Sequence, residues 1–151
     1  AAGLPVLAQN HGAALIIDYG HLRSDAGDTF QAIARHSYAD PLKNPGQADV
    51  TAHVDFQALA RAAEDVGARV HGPVTQGDFL KRLGIETRAA ALMAKTTPEI
   101  SADISGALKR LIDSGRGGMG SMFKVLAITE PNLISVAGIS DEPPGPERKT
   151  P

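Results

Sequence analysis

The sequence contains no cysteine. That absence excludes disulfides, thiol nucleophiles and cysteine-ligated zinc, and it suits a reducing compartment. Aromatic residues make up only 4%, and a formal net charge of -2 supplies no field that would favour nucleic acid or an anionic membrane surface. No apolar run approaches the roughly 18 residues a membrane span needs. The start, Ala1-Ala-Gly-Leu-Pro5, lacks the charged head and apolar body of a signal peptide. No His-Glu-x-x-His or comparable spacing of metal ligands occurs, so a metal site is not expected. There is also no initiating Met, and the first ten residues read as the end of a helix already under way, so a truncated sequence is expected.

What is present fits one modest core. The chain has 151 residues, 42% of them hydrophobic, which favours a single domain over residues 1–139. Leu4, Val6 and Leu7 have weak helical spacing, closed by Asn10-His11-Gly12. Ala13–Ile17 is a continuous apolar run without alternation, which predicts a strand covered on both faces. Residues 20–50 are rich in Gly, Pro and polar residues and read as an irregular insertion, with one helical turn near Thr29–Arg35. Such a long connection usually serves a site. Asp55 can cap a helix whose Phe56, Leu59, Ala60, Ala63 and Val66 recur at helical spacing, and Gly67 stops it. Ala68–Val74 predicts a second strand, and Thr75 with Asp78 a capping box for a helix over Gly77–Leu83.

A further helix is expected over Thr87–Ala94. Thr97-Pro98-Glu99 opens another, whose apolar stripe is Ile100, Ile104, Leu108, Leu111 and Ile112. Arg116-Gly-Gly-Met-Gly120 reads as a turn into a third strand, Ser121–Thr129. It cannot serve as a phosphate loop, because it leads into a strand and lacks the Gly-Lys-Ser/Thr ending. Ile134–Ala137 suggests a short extended piece. From Asp141 the sequence has no apolar residue to bury, which predicts a disordered tail over residues 140–151.

Asp18, Tyr19 and His21 fall where the first strand gives way to a loop, and His53 and Asp55 fall at a helix entrance. Imidazole and carboxylate at such places suit proton transfer or ligand binding. Each also has a structural reading. Asp55 suits an N-cap, His53 a residue orienting a loop, and Tyr19 a packing residue with its hydroxyl at the surface. Catalytic residues are not assigned by sequence alone.

Several blocks in order resemble one family. They are Gly12-Ala-Ala-Leu-Ile-Ile-Asp-Tyr-Gly-His21, Asp49-Val-Thr-Ala-His-Val-Asp-Phe56, Gly72-Pro-Val-Thr-Gln-Gly-Asp-Phe-Leu80, Leu83-Gly-Ile-Glu-Thr-Arg88 and Met119-Gly-Ser-Met-Phe-Lys-Val-Leu126. Together they resemble the MidA-like family of class I S-adenosylmethionine-dependent methyltransferases, over nearly all of residues 12–139. The resemblance implies an α/β fold, the carboxyl-terminal half of a Rossmann-like seven-stranded sheet. Its fifth, sixth and seventh strands would be Ala13–Asp18, Ala68–Val74 and Ser121–Thr129, with the last inserted antiparallel. The insertion follows the first of these strands, and a helical region precedes the last.

The family's mitochondrial members are protein arginine methyltransferases that act on a core subunit of respiratory complex I during assembly. The resemblance therefore implies S-adenosyl-L-methionine as cofactor of the intact protein, with its binding loop upstream of this chain. It implies a protein substrate, with a respiratory complex I subunit as the candidate. Asp18, Tyr19, His21, His53 and Asp55 are the candidates for a substrate-binding rim, with carboxylates to hold a guanidinium. The location implied is a bacterial cytoplasm, or the mitochondrial matrix of a eukaryote, with the bacterial setting favoured. A noncatalytic assembly module that docks a partner through residues 20–50 and 77–115 is the alternative.

A partial sheet exposes an unpaired edge and an uncovered face, so dimerisation or poor solubility is expected of the isolated chain. The expected calorimetric result for this chain alone is no binding of S-adenosylmethionine. Tight binding would show that the cofactor loop has been placed on the wrong side of residue 1.

Overall fold

In a computed structural model of the chain, residues 3–35, 37–43, 46–115 and 118–140 are described. The tail expected from Asp141 onward lies outside them. A short helix, α1 (Leu4–Gln9), leads through His11 into the strand β1 (Ala13–His21). The chain then makes β2 (Gln31–Ala34), β3 (Ser37–Ala39), β4 (Asp49–Thr51) and the two-residue β5 (Val54–Asp55). Helix α2 (Phe56–Glu64) and strand β6 (Arg69–Thr75) follow. Three helices come next, α3 (Gln76–Arg82), α4 (Ile85–Met93) and α5 (Pro98–Ile112). A single turn, α6 (Met119–Met122), opens directly into β7 (Phe123–Thr129).

The main sheet has the order β5-β1-β7-β6. β7 runs antiparallel to both neighbours, from Ala13↔Thr129 to Tyr19↔Phe123 on one side and from Arg69↔Thr129 to Thr75↔Lys124 on the other. This is the antiparallel insertion the resemblance implied. Because side chains alternate across a strand, β7 feeds two cores. Leu126 and Ile128 pack with Phe56, Ala63 and Ala68 beneath α2, while Val125 and Ala127 pack with Phe79 and Ile139 beneath α3.

Local signals placed the helices well. Asp55 Oδ1 accepts the Ala58 N–H at 2.9 Å and caps α2. Gly67, with φ +79°, ends that helix, and the Ala68 N–H returns to the Ala63 carbonyl at 3.1 Å. Thr75 accepts the Asp78 N–H at 3.2 Å and donates its hydroxyl to Asp78 Oδ2 at 2.7 Å, the expected cap of α3. Thr97 caps α5 with Pro98 at the first turn.

Other expectations are corrected. The helical turn near Thr29–Arg35 is β2, the central strand of a separate antiparallel sheet of order β3-β2-β4 inside the insertion. Pairing with two segments outweighs the weak helical preference of Gln31-Ala-Ile-Ala34. Residues 119–122 form a helical turn, so the last strand begins at Phe123 rather than Ser121. Ile134–Ala137 forms no strand. Strand β1 extends to His21, so Asp18 and Tyr19 lie inside it rather than at its end. Nor is β1 covered on both faces, since Leu15 and Ile17 remain 50% and 47% exposed. The strand buried on both faces is β7, not β1.

Two predictions follow from this packing. Phe56 is fully buried, so Phe56→Ala is expected to cost about 3–5 kcal/mol in urea unfolding, against under about 1 kcal/mol for Leu15→Ala. Equal effects would contradict the assignment of the core. The second concerns His71, which is buried in β6 with Nε2 3.0 Å from Thr129 Oγ1. The Thr129 hydroxyl also lies 3.0 Å from the Glu130 carbonyl, so the ring and the hydroxyl share one small polar network. Burial, then the Arg69 charge, lowers the His71 pKa from its ordinary 6.5, while a hydrogen bond with the Leu133 backbone opposes the shift. The unfolded chain then takes up a proton first. The stability contributed by neutral His71 is complete above its unfolded pKa and is lost as pH falls through the folded one. Unfolding midpoints should drop as pH falls through and below the ordinary 6.5 of the unfolded imidazole, and His71→Gln should flatten that slope.

Candidate functional site

The carboxyl end of β1 is held by parallel pairing with β5, Gly20↔Val54 and His21↔Asp55. The approach is so close that a Cβ on Gly20 would overlap the Val54 carbonyl. Only glycine permits it. This contact brings His53 against Tyr19, with ring centroids 4.2 Å apart and planes at 85°, an edge-to-face pair. His21 lies 6.0 Å from His53, and Phe123 lies 6.1 Å from Tyr19.

The insertion braces this arrangement from outside. The His53 N–H donates to Thr29 Oγ1 at 3.2 Å, the Ser24 N–H to Gln57 Oε1 at 2.9 Å, and Gln31 Nε2 to the Tyr19 hydroxyl oxygen at 3.4 Å. A long connection near a site thus has a physical task here. It ties the ends of β1 and β5 together.

An open cleft of about 560 Å³ lies at this corner, lined by Tyr19, Gly20, His21, Leu22, Arg23, His53, Ser121, Met122 and Lys124. Of the five candidates from sequence, Tyr19, His21 and His53 line it. Asp18 and Asp55 do not. Asp18 Oδ1 accepts the Tyr19 N–H at 2.7 Å, and Asp55 is the cap of α2, with Oδ2 3.9 Å from His21 Nε2. The hydrogen bond from the Ala58 N–H, followed by one involving Ser24, holds the Asp55 carboxyl below its usual pKa. The capping reading therefore describes Asp55.

Sequence reasoning missed Lys124 and Arg23. Lys124 is only 8% exposed, and its Nζ donates to the carbonyls of Ser121 and Met122. The signal was a single cation inside the apolar run of the last strand, Phe-Lys-Val-Leu-Ala-Ile. Burial lowers the Lys124 pKa. Burial also lowers that of His53, with the fields of His21 and Lys124 adding to it, so His53 is a neutral imidazole at neutral pH. Among the described residues no group of three or more His, Asp or Glu could hold a metal ion. No helix among them is long and apolar enough to cross a membrane.

The family described as "Putative S-adenosyl-L-methionine-dependent methyltransferase" matches residues 5–74. The chain is 43% identical over 124 residues to the mitochondrial protein arginine methyltransferase NDUFAF7 homolog of Drosophila melanogaster, covering 81% of this chain and 28% of that one. It is 37% identical over 123 residues to the Homo sapiens NDUFAF7, covering 81% and 27%. The chain thus spans less than a third of the length of these relatives. An uncharacterized protein of Burkholderia thailandensis superposes with a TM-score of 0.74 at 30% identity, over 93% of this chain and 39% of that one. A second structure from the same organism, bound to S-adenosyl-homocysteine, gives a TM-score of 0.71 at 31% identity, over 91% and 37%. Over part of their length, the NDUFAF7/MidA-like S-adenosyl-L-methionine-dependent methyltransferases are homologous to this chain, and its mixed sheet with flanking helices matches a Rossmann-like class I methyltransferase fold.

Proposed function

We propose that the protein to which this chain corresponds transfers a methyl group from S-adenosyl-L-methionine to an arginine of a protein substrate. The Tyr19–His53 cleft at the carboxyl end of β1 forms one wall of the acceptor site. The observation that carries the reading is this cleft's position, at the carboxyl end of a strand in an open α/β sheet, where ligands gather. The resemblance of that sheet to a structure bound to S-adenosyl-homocysteine supports it. The names of the relatives supply arginine as the acceptor, and respiratory complex I assembly as the setting implied by the family resemblance.

S-adenosylmethionine, when bound, supplies an electrophilic methyl on a sulfonium. In this reading the donor sits on another wall of the intact protein. The acceptor side is what these residues can serve. Neutral His53 offers a ring nitrogen that can accept a guanidinium N–H, Tyr19 a flat face, and Asp18 and Asp55 negative charge at the rim. His21, with Nε2 3.9 Å from Asp55 Oδ2, shapes the same edge.

The second reading, a noncatalytic assembly module, draws on the apolar groove between α4 and α5, lined by Ile85, Ala89, Leu92, Ile104, Leu108 and Leu111. Methyl transfer by the full-length protein onto candidate substrates, with mass-spectrometric location of the modified residue, separates the two. Asp18→Asn and His53→Ala in that protein are expected to lower methyl transfer by about tenfold or more. Unchanged rates in both variants would remove the cleft from the acceptor site.

A further inference from the structure

The charge of the cleft is at odds with a site built only for a cation. Its lining holds Lys124, Arg23, His21 and His53 and no carboxylate. Among the described residues no carboxylate forms an ion pair with Lys124 or Arg23. Asp18 sits directly across from Lys124 in the β1–β7 register, yet the two do not pair. Asp18 turns to the Tyr19 N–H, and Lys124 turns toward the carbonyls ahead of β7.

An ammonium has three N–H donors, and two of those on Lys124 are taken by the Ser121 and Met122 carbonyls. One donor remains, and no carboxylate among the described residues is within ion-pair distance of the ammonium. Leaving a buried cation without countercharge is costly, and an anion arriving from solution would relieve that cost. Nearby, the Tyr19 oxygen accepts from Gln31, which leaves its own hydroxyl proton to donate, and Arg23 lies at the solvent edge.

We propose that this cleft is a carboxylate seat, with Lys124 at its base and Tyr19 and Arg23 at its sides, which takes an acidic side chain of the acceptor protein close to the methylated residue. A guanidinium is then held by the rim carboxylates and His53, while its acidic neighbour is held by the cations. Lys124 is a specificity-determining residue and not a catalytic one. The carboxylate seat stands on the geometry of this chain, whereas its assignment to a methyl-accepting protein rests on the proposed function.

Ligand titrations of the full-length protein, followed by NMR, test the seat without methyl transfer. The probes are acetate, inorganic phosphate, and a short peptide with one Glu beside an Arg, compared with its Gln counterpart. Saturable shifts of the Tyr19, His53 and Lys124 signals are expected with acetate and the Glu peptide, and weaker binding of the Gln peptide. Lys124→Met should weaken Glu-peptide binding by about tenfold or more, with Lys124→Arg retaining part of it. Should Lys124→Met not fold, Arg23→Gln at the exposed edge is expected to weaken binding by about threefold. Equal binding of the Glu and Gln peptides, or binding indifferent to both substitutions, overturns the seat. Saturation by phosphate alone overturns the carboxylate assignment in favour of a free oxyanion. A full-length protein that binds the Glu peptide but never methylates refutes the proposed function and leaves the seat standing.

Discussion

The structure depends on β7. It is the one strand of the main sheet with long neighbours on both edges, and from Lys124 to Thr129 it is buried throughout. One set of its side chains holds α2 against the sheet and the alternate set holds α3, so both cores share a single backbone. Removing β7 would leave β1 and β6 without a hydrogen-bonded partner along almost their whole length. The antiparallel direction also has a functional consequence. It puts the beginning of β7 beside the carboxyl end of β1, so that Lys124 and the turn of α6 meet Tyr19 and His53.

The cleft is an outcome of that meeting and of a second constraint, the contact between Gly20 and Val54. β5 is only two residues long, and its hold on β1 is reinforced by hydrogen bonds from the insertion. Thr29 and Gln31 come from a part of the sequence that reads as irregular. β3 is a near neighbour in the chain, but β4 pairs from some twenty residues on, and strands of three or four residues carry too little alternation to leave a clear local signature. Short strands owe their existence to neighbours rather than to intrinsic preference. The exposed face of β1 has a related explanation. An unbroken apolar run signals that a strand is suited to cover on both faces, but cover must come from another segment, and none of the described residues provides it over Leu15 and Ile17.

The homology and the electrostatics point to different parts of one task. The relatives are named as arginine methyltransferases, and the fold is shared with a protein bound to S-adenosyl-homocysteine. The cleft of this chain combines two cations and a neutral imidazole with carboxylates held just outside it, and the proposed reading of the site rests on that arrangement. The burial that lowers the His53 and Lys124 pKa values also strengthens every polar contact made there.

The sequence by itself determined the features whose causes are local. The caps at Asp55, Thr75 and Thr97 and the stop at Gly67 are set by side chains and backbone within a few residues, and they are legible for that reason. The ordered blocks carried the family and, with it, the antiparallel last strand. Tertiary structure decided what depends on distant segments. It made a sheet of the insertion, left one face of β1 open and buried β7 on both. It also set His53 against Tyr19 and brought Lys124 into the lining of the cleft. A lysine in an apolar strand is visible in the sequence, but its burial without a countercharge is a property of the surrounding fold.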